Sequence, residues 1–192
     1  MSALKQPMLY TAAEYLAMEQ AAEHKSEFVD GYIYAMAGAS ENHNVVSLNI
    51  ASYLRNVMRG KPTCRVFMSD MRLMLEGGRF YYYPDVMLTC EGAGDDPFSK
   101  SAPCLLVEVQ SPSTKTIDRR EKVLHYLKLP SLHYYLVVAP DVRKVECFQR
   151  DEQGKWVGSI LEENEILLID CPPVSCGIRL DDIYADLDLP ER

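Results

Sequence analysis

Between Cys104 and Gln110 the chain reads CLLVEVQ. In an extended conformation Leu105, Val107 and Val109 fall on one face, and Cys104, Leu106, Glu108 and Gln110 fall on the other. Apolar side chains on both faces predict a strand in the middle of a sheet, with helices above and below it. Glu108 is then a carboxylate near the C-terminal end of a buried strand. Left without a partner there it costs several kcal/mol, so something cationic has to meet it.

Two sources of positive charge are open. One is a divalent metal shared with Asp85, which follows Pro84 at the head of the apolar run VMLT. The other is Lys122, in a helix predicted to start between Ser113 and Thr116. Two carboxylates on adjacent strands with an amine close by are a frame for holding a divalent cation and a water against a phosphate. The plain structural alternatives are a Glu108–Lys122 ion pair without chemistry, and Asp85 as a turn residue after proline. Asp118 and Lys122 share a helix face at i,i+4 spacing, in the order that favours a side-chain pair.

The rest of the chain supplies supporting elements. Thr11-Ala12-Ala13-Glu14 has the spacing of a capping box and predicts a short helix. In SEFVDGYIYAMA, Asp30-Gly31 sits between two β-prone runs and predicts a hairpin with a primed turn. Glu27 lies on its first strand, as an edge charge or within reach of the site. From Ser40, the spacing of Val46, Ile50, Leu54 and Val57 predicts a helix that stops before Gly60. His43, in its first turn, has three roles open to it: solvent, a cap or the site. CRVFM, MRLML and FYYY read as strands of a meander, EGAGDDPFSKSAP as a surface loop, and HYYLVVAP with KVECFQR as a hairpin. A late strand, EILLID, and a short helix over 181–187 follow. Residues 1–192 fit a single domain.

The net charge of −8 excludes a protein that coats nucleic acid by bulk attraction. Basic residues nevertheless gather at Arg55, Arg59, Lys61, Arg65, Arg72 and Arg79, and again at Lys115, Arg119, Arg120, Lys122 and Lys128. Both a local basic groove and an ordinary solvated surface remain open. No apolar run approaches the roughly 18 residues of a membrane span, and no leader pattern is present, so no membrane association and a cytoplasmic location are expected. Cys64, Cys90, Cys104, Cys147, Cys171 and Cys176 are scattered without zinc-site spacing, and are expected to be reduced core thiols.

The series EFVDGYIYAMAG, a helix with His43, YPDVML, LLVEVQSPST, IDRREKVLHYLK and HYYLVVAP resembles the Uma-two family of endonucleases, a branch of the PD-(D/E)xK nuclease-like superfamily, over nearly the whole chain. The resemblance implies an α/β, restriction-endonuclease-like fold with a mixed central β-sheet flanked by helices. It implies Asp85 and Glu108 as metal-binding carboxylates, the carbonyl of Val109 as a further ligand, and Glu27 as the acidic residue of the family's early element. Gln110 departs from the standard pattern, which has lysine there. Glutamine can hydrogen-bond a water but brings no positive charge. Lys122 is the migrated replacement, and His43 a neighbour of the site.

The implied activity is hydrolysis of phosphodiester bonds in DNA with Mg2+ or Mn2+. Asp85 and Glu108 hold the metal, Lys122 steadies the nucleophile or the transition-state charge, and Gln110 and Glu27 orient water around them. An alternative of a different class is a nuclease-like domain that no longer cuts and serves as a binding or scaffold module. Net acidity and Gln110 favour it. Because each chain offers one cutting centre, a homodimer is expected, with the tyrosine-rich 64–83 meander as its surface.

Overall fold

Thr11 caps the first helix as its spacing predicts. Its hydroxyl oxygen accepts the Glu14 N–H at 3.2 Å, and the Glu14 carboxylate accepts the Thr11 N–H at 2.8 Å. Helix α1 (Ala12–Ala21) follows, then strands β1 (Ser26–Val29) and β2 (Tyr32–Ala35). Asp30 and Gly31 both have positive φ, 46° and 93°, which is the backbone a primed hairpin turn requires. The computed structural model describes residues 9–60, 63–94, 96–111 and 122–189. The helix start at 113–116, the Asp118–Lys122 pair, and Lys61, Lys115, Arg119 and Arg120 lie outside them.

Ser40 caps α2 (Glu41–Val57), followed by β3 (Arg65–Met68), β4 (Arg72–Leu75), β5 (Phe80–Tyr82), β6 (Val86–Thr89), β7 (Ser99–Lys100) and β8 (Pro103–Val109). Residues 122–126 are helical and are termed α3. Then come β9 (Tyr134–Ala139), β10 (Lys144–Arg150), β11 (Trp156–Ile160), β12 (Leu167–Cys171), β13 (Val174–Ile178) and α4 (Leu180–Ile183). The described strands form a five-stranded sheet, β2-β1-β5-β4-β7, a six-stranded sheet, β11-β10-β9-β8-β6-β3, and the β12–β13 hairpin.

The expected meander is corrected. β3 pairs with β6 while β4 pairs with β5 in the other sheet, and the chain changes sheet at Ser69, whose φ is 50°. Local pattern identified the strands, but an abrupt backbone corner decided their partners. β8 is central as expected, between antiparallel β6 and parallel β9. Leu105, Val107 and Val109 pack with Val46, Ile50 and Leu54 of α2. On the other face, Leu106 packs with Leu73, Phe80, Tyr82 and Tyr126. The second covering layer is therefore strands β4 and β5 with α3, where helices alone were expected. Each fully buried leucine or valine contributes about 1.5 to 3 kcal/mol.

Tyr81, Tyr82 and Tyr83 are buried, so they are not a partner surface. Alternation along β5 sends Tyr81 against Tyr15 and Phe28 and Tyr82 into the opposite layer.

The cysteine expectation is also corrected. Cys64 is bonded to Cys90 and Cys104 to Cys171, and Cys147 is a buried thiol outside both bonds. Arg65 pairs with Thr89 across β3 and β6, and one more step of that register meets Cys64 with Cys90, a proximity that cysteine spacing does not reveal. Disulfides are rare in reducing compartments, so reduction is a direct check. Loops of 26 and 67 residues correspond to about 3 to 4 kcal/mol each in the chain-entropy account. Thermal unfolding with and without dithiothreitol should show a clear drop in Tm on reduction. Equal values would mean the thiols are free in solution.

Candidate active site

The β6–β8 register pairs Val86 with Val107, and one further step sets Asp85 against Glu108. The N–H of Val109 donates to Asp85 Oδ2 at 2.7 Å, which ties the head of β6 to the end of β8. The hydroxyl of Tyr126, on α3, donates to Glu108 Oε1 at 2.8 Å. Both carboxylates line a cleft of about 790 Å³, at the end of the central sheet and under the β1–β2 hairpin.

Glu27 and Lys122 enter the same cleft from β1 and α3. Lys122 Nζ donates to Glu27 Oε1 at 2.6 Å, and the two side chains are only 12% and 13% exposed. The backbone N–H of Tyr83 also donates to Glu27 Oε1, at 3.3 Å. His43 reaches in from the first turn of α2, with Nε2 at 3.3 Å from Asp85 Oδ2. The structure thus brings Glu27, His43, Asp85, Glu108, Val109 and Lys122 to one place. Gln110 is not among the described residues that line it; its backbone N–H continues the sheet by donating to Val138 O at 2.8 Å.

Electrostatics follow from this crowding. Glu108 lines the cleft. Burial, followed by the repulsion of Asp85 and Glu27, outweighs attraction from Lys122 and pushes its pKa up to about 7. Burial works against the Lys122 ammonium, but Glu108 and then Glu27 hold its pKa above the ordinary lysine value. A hydrogen bond to Asp85, opposed by burial and supported by the Val109 carbonyl, raises that of His43.

Among the described residues no three His, Cys, Asp or Glu side chains form a ready metal cage. Magnesium does not ask for one, because it is commonly held by one or two carboxylates plus water and substrate phosphate. Asp85 and Glu108 contribute hard oxygen donors and Val109 a carbonyl in the same cleft. Among the described residues Glu27, Asp85 and Glu108 stand around Lys122, and the pKa of Glu108 is raised first by burial and then by the charges of Asp85 and Glu27. A divalent cation fits that donor set and that charge.

Of the two readings left open for the first basic cluster, its described members form no groove at the cleft, since none of them lines it. Arg72 is buried with Asp96 at 3.6 Å, and Arg79 is paired with Asp30 at 2.8 Å. Arg55 and Arg59 lie toward the far end of α2 from His43. Sequence reasoning did not single out Tyr126 as a site residue and missed its bond to Glu108. Its i+4 spacing from Lys122, on the face that carries the amine, was the available signal.

A crystal structure described as that of "a putative nuclease belonging to DUF820" from Anabaena variabilis shares this fold, with a TM-score of 0.73, 18% identity, and coverage of 92% of this chain and 98% of that one. Two proteins of Synechocystis sp. are similar in sequence. "Uncharacterized protein slr1290" is 32% identical over 180 residues, spanning 91% of this chain and 90% of that protein. "Uncharacterized protein sll1609" is 38% identical over 152 residues, spanning 78% of this chain and 85% of that protein. The model of one family, described as "Putative restriction endonuclease", matches residues 12–182, and the chain belongs to that family, Uma2.

Proposed function

We propose that this chain is a single-domain, divalent-metal-dependent endonuclease that hydrolyses phosphodiester bonds in DNA, with Asp85, Glu108 and the Val109 carbonyl as ligands of Mg2+ or Mn2+. The observation that carries it is Glu27, Asp85 and Glu108 gathered around the Lys122 ammonium in a cleft of a nuclease-like fold. Magnesium there supplies Lewis acidity, polarising a phosphate oxygen and lowering the pKa of a water. Tyr126 holds Glu108 by its Oε1 oxygen. His43 and the Val109 N–H orient Asp85. Glu27 holds Lys122, whose ammonium offsets negative charge that builds on the phosphate in the transition state.

Titration calorimetry with Mn2+ and a cleavage assay on single-stranded, double-stranded and branched DNA test this directly. Binding should weaken as pH falls below about 7, because the proton on Glu108 competes with the metal. Well below that pH the loss approaches about tenfold per unit. A scaffold that no longer cuts is favoured by Gln110, which supplies no charge, and by the closed Glu27–Lys122 pair. Absence of Mn2+ binding at pH 8 together with absence of cleavage selects the scaffold.

The proposed two-fold dimer rests on one proposed cutting centre per chain. Sedimentation at micromolar concentration should give about twice 21.8 kDa. A single 21.8 kDa species rules the dimer out.

A further inference from the structure

The cleft has two unlike sides. Asp85, Glu108 and Lys122 form a charged floor, Glu23, His24 and Lys25 line the cleft before β1, and β2 with the segment after it forms an uncharged wall made of Ile33, Tyr34 and the run Ala-Met-Ala-Gly-Ala over 35–39. Tyr34 is 47% exposed and Tyr32 41%, and these are the exposed tyrosines among the described residues. Both stand on β2, at the edge of the five-stranded sheet. Tyr34 pairs directly with Glu27 across the β1–β2 register, so its ring rises from the sheet face that carries the partner of Lys122. Tyr32, two residues earlier, shares that face outside the cleft.

A nucleotide has the same division of chemistry, with an anionic phosphate at one end and a flat, weakly polar base at the other. In a duplex the base faces are stacked on one another and present nothing to an aromatic wall. In an unpaired strand they are free, and an exposed tyrosine ring is a sequence-tolerant platform for them. The geometry points to a substrate with unpaired nucleotides at the cut: a single strand, or a single-stranded region of a branched molecule. Tyr34 stacks on the base beside the phosphate held over the carboxylate floor, and Tyr32 meets the strand as it leaves. This deepens the endonuclease proposal and rests on it. Tyr34 is here a specificity-determining residue, since its ring touches the base and not the reacting phosphate. The apolar wall also accounts for a nucleic-acid site in a chain of net charge −8, because stacking adds affinity that bulk charge withholds.

The test measures fluorescence anisotropy of labelled oligodeoxythymidine, and of its duplex with oligodeoxyadenosine, at one fixed ionic strength. Calcium serves as a hard ion that takes the same oxygen donors. The parent should bind the single strand more tightly than the duplex. Tyr34→Ala should raise the Kd for the single strand by roughly tenfold or more, within the range found for loss of one base–aromatic stack, and should leave duplex binding unchanged. Tyr34→Phe, which keeps the ring, should restore the affinity. Because the ring stands in solvent, unchanged melting of both variants serves as the folding control. Equal or tighter duplex binding by the parent overturns the proposal, as does Tyr34→Ala binding the single strand like the parent, and both leave the endonuclease proposal standing if duplex DNA is cut. If the parent neither binds nor cuts DNA of either kind, both proposals fall together.

Discussion

Lys122→Ala is expected to slow metal-dependent cleavage by on the order of a hundred- to a thousandfold, the usual loss when one group that stabilises transition-state charge is removed. It should also destabilise the metal-free protein by about 3 to 5 kcal/mol, because removing one partner of a buried pair leaves the other charge uncompensated. Glu27, at 2.6 Å from the ammonium and almost equally buried, is that stranded charge. The two effects separate in the double variant Glu27→Gln/Lys122→Met, which removes both charges and keeps the bulk. Its stability should return to near the parent's while cleavage stays lost, read by urea unfolding and a plasmid-nicking assay. A double variant that cuts like the parent would show that the amine is structural only.

Glu108→Gln should reverse sign between the metal-free and metal-loaded protein. The Glu108 pKa lies at about 7, above its ordinary 4.5, so its stabilising protonated form is fully present below 4.5 and lost as pH rises through 7. At pH 8 the metal-free parent therefore holds a carboxylate crowded by Asp85 and Glu27. Glutamine removes that repulsion and can still accept the Tyr126 hydrogen bond, so the metal-free variant should melt at or above the parent. With Mn2+ added, only the parent gains stability from binding, and the order inverts. Mn2+ affinity of the variant should fall by more than about a hundredfold, beyond what loss of a supporting group alone causes. Melting curves at pH 5 and pH 8, with and without Mn2+, read all four states. An equal Mn2+ response in parent and variant would remove Glu108 from the ligand set.

Much of the local architecture was legible in the chain. The Thr11–Glu14 box, the Asp30-Gly31 turn and the helix begun by Ser40 all appear where short-range spacing placed them. The central position of β8 was legible too, because a strand with apolar residues on both faces is stable only between two covering layers. Asp85 and Glu108 were read as neighbours, and the β6–β8 register sets them against each other.

What the sequence by itself determined was the identity of many of the elements, among them α1, the β1–β2 hairpin, α2 and β8, and the place of Glu108 on a central strand. Those follow from periodicities of a few residues, which report local energy. Only the tertiary structure decided which elements meet: that β3 and β4 separate into different sheets, that Tyr81 to Tyr83 turn inward, that Cys104 finds Cys171, and that Lys122 takes Glu27 from 95 residues away while Tyr126 takes Glu108. The physical reason is that such contacts depend on closing long loops and packing two layers together. Their energies belong to pairs of distant elements, and no spacing within one element records them.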